Sequence, residues 1–460
     1  MTLVAVIDIG KTHGKLMLTE RASGRETWSV QRASRSLDGA DLRELDVAGT
    51  AAWLLQALAE APGRADIEVI VPVAHGAALV FLDAAGAVVA APDYEDTRFN
   101  DVAGPYTRLR DPFTETFSPN LPLGLNAGRQ IHYLCERLPD RFARVAHILP
   151  YPQYWAYKLC GVLASEATSL GCHTDLWLPR TGTFSALAQR EGWAALFAPQ
   201  RRASDALGTL RPEQAAACGL DPACAVLCGI HDSNASYLRH RVSRPGAEPF
   251  AVVSSGTWTI VLAHGADLGR LRQERDMLAG VDAFGAPVAT ARFMGGREYT
   301  AIAGSAATPT MAGLMEVMRD DAVALPSFAT GGPFQGSPGR LLRAEALTPD
   351  GRAALASLYL ALLTDHALGL LAAAGDVVVD GPLAGNALFT AVLAAFRHGD
   401  RVLASPAGAA SLGARALVAG INDAAPDLRH AEPALLEGLG PYRDRWREAV
   451  ANPGRTSATG

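Results

Sequence analysis

Residues 2–19 read TLVAVIDIGKTHGKLMLT, and this stretch restricts the fold more than any other. Leu3–Ile9 is an unbroken apolar run rich in Val and Ile, interrupted only by Asp8, which is the pattern of a strand buried on both faces. Gly10-Lys11-Thr12 then looks like the end of a Walker phosphate loop. That loop requires G-x-x-x-x-G-K-[ST] with a helix after it. The first glycine would fall on Ala5, and Lys15–Thr19 is short, apolar and without helical period. The segment therefore predicts strand, glycine turn, strand. Successive backbone N–H groups in such a turn can still cradle a phosphate. Asp8, at the end of a buried strand, needs a cation or hydrogen-bond donors. A hard carboxylate ligand suits Mg²⁺, and turn amides would satisfy it equally well.

The layout returns later in the chain. Phe250–Leu262 is again an apolar run, a Ser255-Gly256-Thr257 turn and a second apolar run, which suggests two similarly built halves. A chain of 460 residues exceeds the roughly 250–300 residues at which a single core stops growing. Arg241–Pro249 (RVSRPGAEP) has the composition of a linker, so the expected domains are 1–243 and 248–460. Between the hairpins the pattern is mixed α/β. Glu26–Gln31 reads as a strand. Asp41–Glu60 reads as a helix with Leu42, Leu45, Ala52, Leu55 and Leu58 on one stripe. Ile67–Val73 reads as a buried strand, and Ala77–Leu82 with Ala87–Ala90 as a hairpin. Residues 326–339 (PSFATGGPFQGSPG) read as a loop.

Net charge is −6, with no basic run interleaved with aromatics, so nucleic acid and anionic membranes are not expected partners. No uncharged apolar run reaches the ~18 residues of a membrane span, and the N-terminus lacks a basic signal-peptide region. The six cysteines, Cys135, Cys160, Cys172, Cys218, Cys224 and Cys228, form no C-x-x-C pair. They read as free thiols, and the expected location is the cytoplasm.

Chemistry concentrates where the apolar run Ala225–Ile230 enters His231-Asp232-Ser233-Asn234-Ala235-Ser236. A carboxylate there can face a ligand and accept a proton from an attacking hydroxyl, or it can simply cap the helix that follows.

In order and spacing these segments resemble the FGGY carbohydrate kinases of the actin/hexokinase/Hsp70-like superfamily. The resemblance spans nearly the whole chain. It implies two ribonuclease H-like (actin-like ATPase) α/β domains with an inter-domain active-site cleft, and ATP with Mg²⁺ as cofactors. It implies phosphate binding at the first turn (Gly10, Lys11, Thr12, His13) and the second (Gly256, Thr257), a metal role for Asp8, and Asp232 as catalytic base. Val377–Asn386 resembles the adenosine segment, with Gly381, Gly385 and Asn386. Ala407–Ala414 resembles the small-residue helix near the nucleotide. His231-Asp232-Ser233, with Phe293–Glu298 downstream, is most similar to the L-rhamnulose and L-fuculose kinase branch.

Two segments depart from the pattern. Tyr94-Glu95-Asp96-Thr97-Arg98 stands where the family has W-x-D-x-R, and Gln153 replaces an aspartate. Both fall where the sugar is recognised. Sugar sites need dense hydrogen bonding and an apolar face. The candidate contacts are His75, Asp96, Arg98, Glu166, Thr168, His173 and His231, with Tyr94 or Trp155 as a face. The expected partners are a small-molecule sugar, here a ketose phosphorylated on a primary hydroxyl, and ATP. Monomer and homodimer both stay open. A nucleotide-switched binding protein of the same fold is the alternative from another class.

Overall fold

The computed structural model describes residues 2–452, apart from 245, 247, 305–307, 406–408 and 420–427. Part of the linker and the start of the closing motif, Ala407-Gly408, therefore lie outside the described residues. The chain forms two compact units. The first holds the chain through the helix Asp232–Val242, joined by Ala279–Pro287 and the helix Ala409–Ala419. The second holds the remaining elements from Phe250 onward.

In the first unit Leu3–Ile9 pairs antiparallel with His13–Glu20 and parallel with Ile67–Ala74. His13–Glu20 continues antiparallel to Glu26–Ala33. Beyond Ile67–Ala74 lie Ala225–Leu227 and Ile230–His231, both parallel to it. A sheet covered on both faces takes near-continuous apolar strands, which explains the opening run. Leu3, Ala5, Ile7 and Ile9 pack with Leu54, Ala57 and Leu58 of the helix Val47–Glu60 and with Trp155 and Leu159 of Tyr151–Cys160. Val4 and Val6 point the other way, onto Ala235, Leu238 and Val242 of the helix Asp232–Val242 and Ala414 and Ala416 of Ala409–Ala419. Side chains alternate along a strand, so Asp8 shares the face of the Asp232 helix. The two helices on that face approach closely at Gly413, where a Cβ would lie 1.6 Å from the Ala235 carbonyl oxygen.

The second unit repeats the plan. Phe250–Ser255 pairs antiparallel with Thr259–His264 and parallel with Asp376–Asp380, and Thr259–His264 continues antiparallel to Pro287–Phe293. Val402–Ala404 extends the parallel side. The 23-residue helix Pro349–Leu371 is long and apolar enough to cross a membrane, yet 83% of its apolar window is buried within the protein. Its Asp365 is paired with Arg447 at 2.7 Å. It is a core helix.

One helix differs from expectation. Its first turn starts at Val47, because the Asp46 carboxylate accepts from the Gly49 amide at 2.7 Å and caps it there. Arg43–Leu45 instead forms a short strand, and the buried stripe is Val47, Thr50, Leu54, Ala57 and Leu58.

Candidate active site

The first turn is a hairpin, with Gly10 N donating to His13 O at 2.9 Å. Ser34 pins it from the next strand, through Oγ to Gly10 O at 2.8 Å and N to Thr12 O at 2.9 Å. Thr12 and His13 are exposed. Lys11 turns to acids: it pairs with buried Asp93, lies 3.4 Å from Glu95 and sits 4.7 Å above the Tyr94 ring. Burial alone would raise the Asp93 pKa. Lys11, the Ser36 hydroxyl at 2.6 Å and the Glu95 amide outweigh it and hold the carboxyl below its ordinary value.

Asp8 is in a different position. Its carboxylate accepts no hydrogen bond from any described residue, and Lys15, opposite in the sheet, is paired with Glu26 at 3.2 Å. Burial first, then the nearby Asp232 charge, pushes its pKa up from 3.8 to about 7.

Pairing of Ile230–His231 with Val73–Ala74 sets Asp232 beside His75 at the end of the same sheet. The N-cap position of the helix Asp232–Val242 is taken by His231, which makes no side-chain cap bond, and Asp232 is the first helical residue. Its Oδ1 accepts from Ser233 N at 2.5 Å and Ser233 Oγ at 3.2 Å, and lies 3.2 Å from His231 Nε2. Oδ2 has no partner among the described residues, and the side chain is 34% exposed.

His231 is held on three sides. Its amide donates to Thr168 Oγ1 at 3.1 Å, and that hydroxyl donates to Glu166 Oε2 at 2.5 Å. Its Nδ1 meets the Asn234 amide at 3.1 Å, and its Nε2 lies 3.5 Å from Cys172 Sγ. Burial would lower the imidazole pKa, but Cys172 and Asp232 reverse the sign and bring it to about 9. Burial pushes Glu166 up to about 7, against the Thr168 hydroxyl and two amides. Glu166 and Thr168 thus lie behind His231 as its support.

His75 is 7% exposed. Its Nδ1 contacts Gly76 O at 2.9 Å, and its ring meets Tyr94 and Tyr151 edge-on. The other ring nitrogen has no partner among the described residues, and burial lowers the imidazole pKa. His173 adopts a left-handed backbone (φ 42°), its Nδ1 2.8 Å from Leu125 O. Gln153 clasps the link between the strands Ala225–Leu227 and Ile230–His231, donating to Cys228 O and Gly229 O. Trp155 lies fully in the core. Asp96 and Arg98 are otherwise engaged. Both Asp96 oxygens are used by Arg43 N, Arg98 N and the Arg98 guanidinium, and Arg98 also donates to Gly39 O.

In the second unit Gly256 and Thr257 are exposed at the turn, beside a pocket of about 190 Å³. Ser255, Gly256, Gly295, Gly296, Tyr299, Leu360, Leu383 and Asn386 are among its walls. Asn386 caps the helix Ala387–Phe396 through Phe389 N and donates to Ser357 Oγ at 2.9 Å. Gly385 meets nothing within 4 Å at its Cβ position. Gly381 has φ +76°, and a Cβ there would lie 2.2 Å from Ser255 O. Gly381→Ala should therefore cost more than about 1 kcal/mol and displace the second turn. A lowered Tm by calorimetry checks this.

Sequence reasoning did not anticipate Cys172, Asp93 or Asn234 in the first site, nor Tyr299 and Leu360 in the pocket. The last two come from helices far apart in the chain and carry no motif.

Residues 247–430 match the family model described as carbohydrate kinase FGGY, C-terminal domain. A rhamnulokinase of Yersinia pestis is 26% identical over 282 residues, which are 56% of this chain and 53% of that protein. The chain spans about half the length of the curated relatives it matches. The crystal structure of a carbohydrate kinase from Novosphingobium aromaticivorans superposes with a TM-score of 0.88 at 37% identity, covering 98% of this chain and 99% of that one. The chain belongs to the FGGY carbohydrate kinases. A xylulose kinase from Rhodospirillum rubrum, at 18% identity, shares the two-domain actin-like ATPase fold of this FGGY protein, with a TM-score of 0.80 over 98% of both chains.

Proposed function

We propose that this FGGY kinase is a cytoplasmic enzyme transferring the γ-phosphoryl group of Mg·ATP to a primary hydroxyl of a ketose or deoxyketose, of the L-rhamnulose or L-fuculose type. The observation that carries the reading is Asp232. One oxygen is fixed by Ser233 and His231, while Oδ2 has no partner among the described residues on a partly exposed side chain. Oδ2 accepts the proton as the sugar oxygen attacks phosphorus. His231 and the Glu166–Thr168 pair behind it hold the carboxylate in orientation. His75, between two tyrosines and with a ring nitrogen that has no partner among the described residues, is placed to bond a sugar hydroxyl. Backbone amides of Gly10–Thr12 and Gly256–Thr257 bind phosphate oxygens, and the pocket from Ser255 to Asn386 holds the nucleoside.

The donor set at Asp8 fits Mg²⁺. It is a hard carboxylate, partly buried, without a hydrogen bond from any described residue and repelled by a neighbouring acid, so a cation relieves an existing penalty. When bound there, the ion would offset charge on the phosphoryl oxygens. The rhamnulokinase relatives and the sequence around His231-Asp232 favour a deoxyketose. Free cysteines fit the cytoplasm.

The test is coupled ATP consumption across L-rhamnulose, L-fuculose, both ribuloses, both xyluloses, erythrulose and glycerol, with and without Mg²⁺. The expected result is strong Mg²⁺-dependent turnover with one ketose. Silence across the panel from protein that binds ATP would remove the ketose assignment.

A further inference from the structure

We propose that Cys172 is a reactive thiolate, a modification site for small uncharged electrophiles such as peroxide, whose modification shuts off the sugar side of the site; the shut-off rests on the kinase reading, the reactivity does not. Of the six cysteines, Cys172 has an imidazole nitrogen at its sulfur, His231 Nε2 at 3.5 Å, with His173 from the adjacent position acting on it as well. The sulfur lies against the backbone of Gly76. A Cβ there would be 2.5 Å from Sγ and 2.7 Å from His231 Nε2. Cys218 and Cys224 contact backbone carbonyl oxygens, and burial raises the pKa of the five other thiols. At Cys172 burial acts in the same direction, but His173 and His231 outweigh it and favour the thiolate.

The surroundings point to a ligand independently of the thiol. His75, next to Gly76, is more than nine-tenths buried and has a ring nitrogen that no described residue satisfies. Its charge environment includes Asp232, Lys11 and His231, and that of Tyr94 includes Asp232 and Cys172. His173 and His231 act on the sulfur directly, Tyr94 feels its charge, and Asp232 meets the same His231 nitrogen at 3.2 Å, with Glu166 behind His231. An adduct on Sγ would fill space that a sugar needs beside Asp232.

The chemistry balances. With iodoacetamide, a sulfur–carbon bond forms as the carbon–iodine bond breaks, and iodide leaves. With hydrogen peroxide, the sulfur takes one oxygen as the O–O bond breaks. The departing hydroxide takes the His231 proton and leaves as water, so that sulfur is oxidised to sulfenic acid and peroxide reduced.

The experiment is limiting iodoacetamide on the full-length protein from pH 6 to 9, read by intact mass and peptide mapping. Cys172 should label first, at least tenfold faster at pH 7 than any other cysteine. Its rate should be nearly flat between pH 6.5 and 8, where an ordinary thiol climbs about tenfold per unit. His231→Gln should slow labelling at pH 7 at least tenfold and restore it towards pH 9. Cys172→Ser should lose the fast phase. Labelling first elsewhere, an ordinary pH slope in the wild type, or an unchanged rate in His231→Gln would each overturn the reactive thiolate. Sugar-dependent turnover should fall in parallel with Cys172 labelling while ATP binding persists. Full turnover from labelled protein would overturn the shut-off. Unlabelled protein without turnover on any sugar would fault the kinase reading alone, since the labelling results need no turnover.

Discussion

Asp232→Asn should lower sugar-dependent kcat by roughly 10²–10⁴-fold, the range for losing a general base. The amide keeps the shape and can still accept from Ser233 N, so the helix start and the fold should survive. It cannot take a proton from the attacking hydroxyl. Mg·ATP affinity by calorimetry should stay near wild type, because the proposed nucleotide pocket lies in the other compact unit. KM for the sugar should move much less than kcat, as expected when an interaction specific to the transition state is lost. A folded variant that retains sugar-dependent turnover within a few-fold of wild type would remove Asp232 as the base. The same change relieves repulsion on Asp8, whose pKa should then drop below about 7.

Asp8→Asn should reduce activity by at least about 100-fold, equivalent to roughly 3 kcal/mol of transition-state stabilisation. It should raise the Mg²⁺ concentration needed for half-maximal rate. Stability should change in the opposite direction. The Asp8 pKa is near 3.8 unfolded and about 7 folded, so the folded state binds the extra proton between those values. The charge penalty is fully present above pH 7 and absent below about pH 4. Its upper bound is roughly 4 kcal/mol. In the absence of metal, Asp8→Asn should therefore raise Tm by several degrees at pH 8 and by little at pH 4. Mg²⁺ should stabilise the wild type more than the variant. A variant with unchanged Mg²⁺ dependence would sink the metal role of Asp8. Equal Tm differences at both pH values would sink the charge penalty.

Both predictions depend on residues visible in the sequence but on an environment that was not. Asp8 and Asp232 stand out as carboxylates ending apolar runs. Their mutual influence comes from strand parity and the sheet order, which put Leu3–Ile9 and Ile230–His231 on either side of Ile67–Ala74. The reading of Lys11 as a phosphate contact came from its position in a glycine turn. The structure pairs it with Asp93 and Glu95, from a segment eighty residues on, which local spacing cannot reveal. Asp96 and Arg98 look like ligand groups in a motif, yet their polar atoms close a local cap and bond Arg43 N and Gly39 O.

The sequence by itself determined the strand–turn–strand hairpins, the two-part α/β plan and the family. Apolar runs, glycine turns and motif order are local properties, written in consecutive residues. Only the tertiary structure decided which side chains share a site. It brought Cys172 to His231, left one oxygen of Asp232 and one nitrogen of His75 without partners among the described residues, and returned the helix Ala409–Ala419 to the first unit. Those outcomes depend on how distant elements pack, where a one-residue change of face turns a ligand group into a buried support.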